Sequence, residues 1–197
     1  MAFTEFTTAN VEERLNLPFA FADLFPAVPP AAQPAWLPEM MARMHRHIPG
    51  ESEKARSETL ISLILVAAAE AGSPPITVFS GERLDVDSAK GLSGEFDYLF
   101  ARTIPVPRIK APLLMVVAAK KQDISAGFGQ CIAQMVAAQL FNQQSGAAVP
   151  AVYGCITTGE DWQFLKLEGT TVTVDPSRRY INDVAAILAA LVATVGS

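Results

Sequence analysis

The apolar positions of this chain fall in blocks whose spacing names the elements. Leu60-Ile-Ser-Leu-Ile-Leu-Val-Ala-Ala-Ala is apolar almost all round, the pattern of a helix covered on most sides. It predicts a helix over about 51–71, stopped by Gly72-Ser73-Pro74-Pro75, with Glu58 at the polar entrance to its buried half. Residues 76–79 read as a strand and Ser80-Gly81 as a turn. A second strand covers about 94–100. A third, 113–119, is apolar on both faces, which is typical of a central strand in a sheet covered on both sides. The loop between these two holds Pro105, Pro107 and Pro112 with Arg102, Arg108 and Lys110.

Asp123 can cap a helix over about 124–142, ended by Ser145-Gly146. Ile124, Phe128, Cys131, Met135 and Ala138 form its core-facing stripe. Gln130 and Gln134, four apart, lie on the other side. Residues 152–158 and 162–167 read as an antiparallel pair around Gly159-Glu160-Asp161, and 171–174 as a short strand. Asp175-Pro176 can start a final helix whose buried stripe is Ile181, Val184, Leu188, Leu191 and Val195. Helix, three strands, helix, strands, helix is the order of a three-layer α/β domain with a mixed central sheet.

Before this domain, residues 26–38 contain Pro26, Pro29, Pro30, Pro34 and Pro38, a density that favours an extended connector. The chain therefore divides into an arm and proline-rich connector over 1–38 and a domain over 39–197. Phe19, Phe21, Phe25 and Trp36 are too many large apolar groups to leave in water. The arm is expected to pack on the core or on a second subunit, the latter making a homodimer.

The 197 residues, half of them hydrophobic and 18% charged, suit one globular domain. A net charge of −5 argues against a general nucleic-acid coat protein, so any nucleic-acid contact must use a local basic patch. Cys131 and Cys155 lack metal-ligand spacing and read as buried reduced thiols. His45 and His47, flanked by Arg43 and Arg46, read as a solvated basic helix face rather than a zinc site. The N-terminus carries Glu5, Glu12 and Glu13 where a signal peptide needs basic residues. The apolar runs 59–69 and 184–195 fall short of a membrane span. A soluble, cytoplasmic protein is expected.

Four separated elements supply candidate chemistry: Glu58 on the first helix, Asp97 on the second strand, Lys120 ending the third, and Gln130 early in the next helix. Side chains 116, 118 and 120 project together. If the second and third strands pair, Asp97 and Lys120 converge at one sheet end. Asp97 stands between Phe96 and Tyr98, and a carboxylate on so apolar a strand needs a partner. A carboxylate holding Mg²⁺, a water activated by the metal and a Lys facing developing phosphate charge are what phosphodiester hydrolysis requires. Each residue also has a plainer reading. Glu58 can form an exposed pair with Lys54, four residues earlier; Asp97 can be a strand-end turn residue; Lys120 a solvated strand end; Gln130 helix surface. Trp162 and Phe164 read as core. Glu95, two before Asp97, is a candidate migrated carboxylate. No Gly-rich phosphate loop, nucleophile elbow or Cys/His pair supports a small-molecule α/β enzyme.

Ser57-Glu58, Gly94-x-x-Asp97-Tyr98, Ala118-Ala119-Lys120-Lys121 and Gly129-Gln130 together resemble the PD-(D/E)XK nuclease superfamily, in its restriction-endonuclease-like branch. Tyr153-Gly154, Thr157-Thr158-Gly159 and Trp162-x-Phe164 also resemble the strand-turn-strand that follows the second helix there. The resemblance spans about 50–167 and implies an αβββαβ core. It implies Lys120, Asp97, Glu58 and Gln130 as catalytic residues, Asp97, Glu58 and Ala119 as metal ligands, Mg²⁺ as cofactor and DNA as partner. The family motif is a carboxylate, any residue, then Lys. Here Ala118 replaces that carboxylate, so the resemblance implies an endonuclease that is impaired, or a non-catalytic interaction or DNA-binding module keeping the fold.

Overall fold

The stretch Leu113–Ala119 has no polar side chain, so it is stable only where both faces are covered. In the computed structural model, which describes residues 2–72 and 75–196, every residue of this strand is buried. The strands are β1 (Phe19–Phe21), β2 (Thr77–Asp87), β3 (Leu92–Ala101), β4 (Leu113–Ala119), β5 (Val152–Thr157), β6 (Asp161–Glu168), β7 (Thr171–Val174) and β8 (Arg179–Tyr180). They form one mixed sheet in the order β1-β7-β6-β5-β4-β3-β2, with β8 also paired to β6. β2, β3 and β4 are an antiparallel meander. β5 then lies parallel to β4, as a helical crossover requires.

The helices are α1 (Val11–Leu15), α2 (Trp36–His47), α3 (Glu53–Arg56), α4 (Ser62–Ala71), α5 (Phe128–Gln144) and α6 (Val184–Val195). α5 covers one face of the sheet together with Phe3, Phe6, Val11 and Leu17 of the arm. α4 and α6 cover the other, with Leu37 of α2 and Phe25. The arm thus packs on the core and β1 joins its sheet, but Phe21, expected to be covered, is left exposed at the sheet edge. Trp36 Nε1 donates to Glu70 Oε2 at 3.1 Å.

Several expectations are corrected. Gly81 is not a turn: it lies inside β2 at φ +68°, and pairing continues from Ser80 with Tyr98 to Glu82 with Phe96. Its missing side chain lets the strand pass through a left-handed residue without ending. The connector is shorter than its prolines suggest, because α2 begins at Trp36 and Pro38 sits in its first turn, where no N–H is needed. The final helix starts at Val184, not at Asp175-Pro176. Buried Asp175 instead accepts from Ser177 N–H and Arg179, while Asp183 caps the helix through Ala186 N–H. Gln134 is wholly buried rather than on an outer face. The first long helix is interrupted by a π-helical stretch, Ser57–Ile61; Ser73 and Pro74 of its expected stop lie outside the described residues.

Cys131 and Cys155 are free thiols in the interior. Burial pushes the Cys131 thiol up to about 12, which keeps it protonated at neutral pH. Among the described residues one helical stretch, Ile124–Gln144, is long and apolar enough to cross a membrane, and it is 56% buried against the sheet, as a core helix is.

Candidate functional site

The site is made where the β3–β4 ladder stops. The last recorded pair is Tyr98 with Val117. Two residues on, the Ala119 N–H points toward β3 and finds a side chain, not a backbone carbonyl: it donates to Asp97 Oδ2 at 2.8 Å. On its other side β4 remains tied to β5, with Lys120 N–H donating to the Thr157 carbonyl at 2.8 Å. Phe96 packs in the cluster under α5, whereas Tyr98 packs in the opposite cluster, so the regular alternation breaks at Asp97.

Val116 and Ala118 face α5, and Lys120 follows them. Its stem lies over Gly127, where a Cβ would come within 3.2 Å of Lys120 Cγ and Cε. Its ammonium donates to Gln130 Oε1 at 2.8 Å. Gln130 holds that position because Asp123 caps the turn before α5 through Ser125 N–H at 2.8 Å. Asp97, Ala119, Lys120 and Gln130 are therefore gathered at one sheet end.

The Asp97 carboxyl is held above its ordinary value of 3.8. Desolvation by burial is the main cause; the Ala119 N–H and the Lys120 charge act against it, and the charges of Glu53 and Glu95 add to it. Tyr98 is also raised, chiefly by burial. Its hydroxyl donates at 2.9 Å to the Ser57 carbonyl, which also accepts the i→i+5 bond from Ser62 N–H. The π-helical stretch is thereby anchored beside Asp97.

Glu58 stands apart from this group. It is half-exposed and lies 3.7 Å from Lys54, the ordinary ion pair of a helix surface. No hydrogen bond or ion pair joins it to Asp97 or Lys120, and its charge is felt at Tyr98. Glu53, one turn earlier, has its charge felt at Asp97 itself. Nothing in the sequence separated Glu53 from any acid in a helix's first turn. Arg56 was equally unmarked: it donates to the carbonyls of Lys121 (3.1 Å) and Thr158 (3.4 Å) and pairs with Glu160 at 3.4 Å, fixing the helix to the strand ends at the site.

Ala118 is fully buried in the apolar cluster under α5. Among the described residues no three His, Cys, Asp or Glu side chains group as a metal site. Asp97 offers one carboxylate, already accepting from Ala119, and Ala119 can add only a main-chain carbonyl. This donor set does not fit the two-carboxylate centre that the resemblance implies. What the arrangement does provide is a desolvated carboxylate and an ammonium fixed at one sheet end. Compared with models of known protein families and with curated proteins, the chain matches none.

Proposed function

We propose that this chain is a restriction-endonuclease-like protein acting on DNA in the cytoplasm, with a hydrolytic centre left incomplete by Ala118. The observation that carries this reading is the convergence of Asp97 and Lys120. The Lys120 charge bears on a carboxylate that burial disfavours, while Gln130 fixes the ammonium at 2.8 Å. Keeping a desolvated carboxylate charged is costly, and such groups cluster at functional sites. The connectivity supports the same reading: helix, antiparallel meander β2-β3-β4, crossover helix α5 and parallel β5 follow the αβββαβ order. With a second carboxylate the site would hold Mg²⁺ and direct metal-activated water at a phosphodiester. With Ala118 it binds Mg²⁺ weakly at most. Replacing Ala118 by Glu and assaying metal-dependent DNA cleavage tests the reading.

A specific observation favours a second reading, a non-catalytic module that uses the fold for binding. Ala118 has no exposed surface, and its surroundings are apolar, so the place of the missing carboxylate is closed rather than open. DNA binding by the unaltered chain without cleavage distinguishes this reading from the first.

A further inference from the structure

The two outer strands of the sheet are built differently. β2 carries Glu82, Arg83, Asp85 and Asp87 and a bulge between Asp85 and Asp87, devices that discourage another strand from pairing. β1, at the opposite edge, is Phe19-Ala20-Phe21: it is short and follows Pro18, but it carries neither a charge nor a bulge. Val172 N–H donates to the Pro18 carbonyl at 3.0 Å and Ala22 N–H to the Val174 carbonyl at 3.2 Å, so residues 18 and 22 turn their polar backbone toward β7. Alternation then points the N–H and C=O groups of Phe19 and Phe21 away from the sheet. Phe21 is 74% exposed.

Beside this edge lies a groove of about 480 Å³ with Phe19, Phe21, Phe128, Ile132 and Val174 as its apolar lining. Glu12 is its one charged lining residue, and Ser125, also in the lining, has its N–H bonded to the Asp123 carboxylate. We infer that this edge and groove are a docking site for an extended basic-apolar peptide segment of a partner protein. The segment adds a strand to β1 through the outward backbone groups, seats an apolar side chain between the phenylalanines, and sets a Lys or Arg against Glu12. A second copy of this chain fits less well. Its own edge, Pro18-Phe19-Ala20-Phe21-Ala22, brings no cation to Glu12.

The experiment is selection of phage-displayed random dodecapeptides on the immobilised full chain, followed by fluorescence anisotropy with a synthetic peptide of the enriched pattern. Enriched sequences should alternate apolar and polar positions and carry Lys or Arg at one end. Phe21→Asp and Glu12→Lys, both verified as folded by circular dichroism, should each weaken binding by about tenfold or more. Absence of enrichment, enrichment of acidic or helical sequences, or binding indifferent to both variants overturns the inference. So does a chain that is dimeric in analytical ultracentrifugation and becomes monomeric with Phe21→Asp, which gives the edge to a second copy.

Discussion

The Ala119 N–H donates to Asp97 Oδ2 at 2.8 Å, so the residue that ends the β3–β4 ladder also carries the charge on which the proposed site depends. The carboxylate stands in for a backbone carbonyl. It also stays largely out of water, beside an ammonium and within reach of two other carboxylates.

These two duties separate by mutation. Asp97→Ala leaves the Ala119 N–H without its acceptor and should destabilise the fold by about 1–3 kcal/mol. Asp97→Asn keeps an acceptor and removes the desolvated charge, so it should equal or exceed the unaltered chain in stability at neutral pH. The sign of the pH dependence follows. The folded-state value of Asp97 lies above its ordinary 3.8, so protonation favours the folded state. The unaltered chain should gain on the Asn variant as pH falls through the raised value, and the gain should be complete below the ordinary one. Urea unfolding of the three proteins at neutral and acidic pH checks this. A deficit of Asp97→Asn at neutral pH as large as that of Asp97→Ala would count against it.

Lys120 lowers the Asp97 value. Lys120→Met should therefore raise it further, seen as an upward shift in the carboxyl titration of Asp97 by NMR. No shift, or a downward one, would mean that the two side chains do not share a site in solution.

Gly129 tests the attachment of the arm. A Cβ there would clash with backbone atoms of Phe6 and Thr7. Alanine in a helix is otherwise favoured over glycine by about 1 kcal/mol. Gly129→Ala should nevertheless lower the Tm, because the clash is with backbone and overpacking costs about 1–3 kcal/mol. Limited proteolysis should cut the arm faster in this variant. A raised Tm would show that the arm yields easily.

Much of this was legible in the sequence because it depends on periodicity. Leu113–Ala119 is a buried central strand with its predicted bounds, and Asp123 caps the predicted start, although the first turn, Ile124–Gly127, is 3-10 and α5 begins only at Phe128. What escaped depends on contacts between distant segments. Gly81 resembles a turn until its pairing with β3 is known. Asp175-Pro176 resembles a helix start until Arg179 is seen to hold Asp175. At the site, Asp97, Lys120 and Gln130 stood out because each is polar against an apolar or terminal background. Glu53 and Arg56 lie in an ordinary charged helix turn, where only the folded chain singles them out.

Isothermal titration of the unaltered chain with Mg²⁺ should show no saturable binding at micromolar concentration. Asp97 is a single carboxylate with one oxygen already accepting from Ala119, and Mg²⁺ gives up its waters reluctantly. Micromolar affinity without nucleic acid would mean that a donor outside this group completes the site.

The most direct measurement is cleavage of single- and double-stranded DNA by Ala118→Glu with Mg²⁺ or Mn²⁺. Residues 118 and 120 project from the same side of β4, so the new carboxylate joins Lys120 at the end where Asp97 lies. Burial of residue 118 makes the folded state part of the test, so melting is followed with and without metal. The account predicts a folded variant that metal stabilises and that cuts DNA, with the cleavage lost on adding Lys120→Ala. Removing one electrostatic element from a preorganised site typically costs about 10²–10³ in rate, so restoring one should be readily detected. A folded Ala118→Glu variant that metal does not stabilise and that cuts neither substrate would contradict the account, as would cleavage that survives Lys120→Ala.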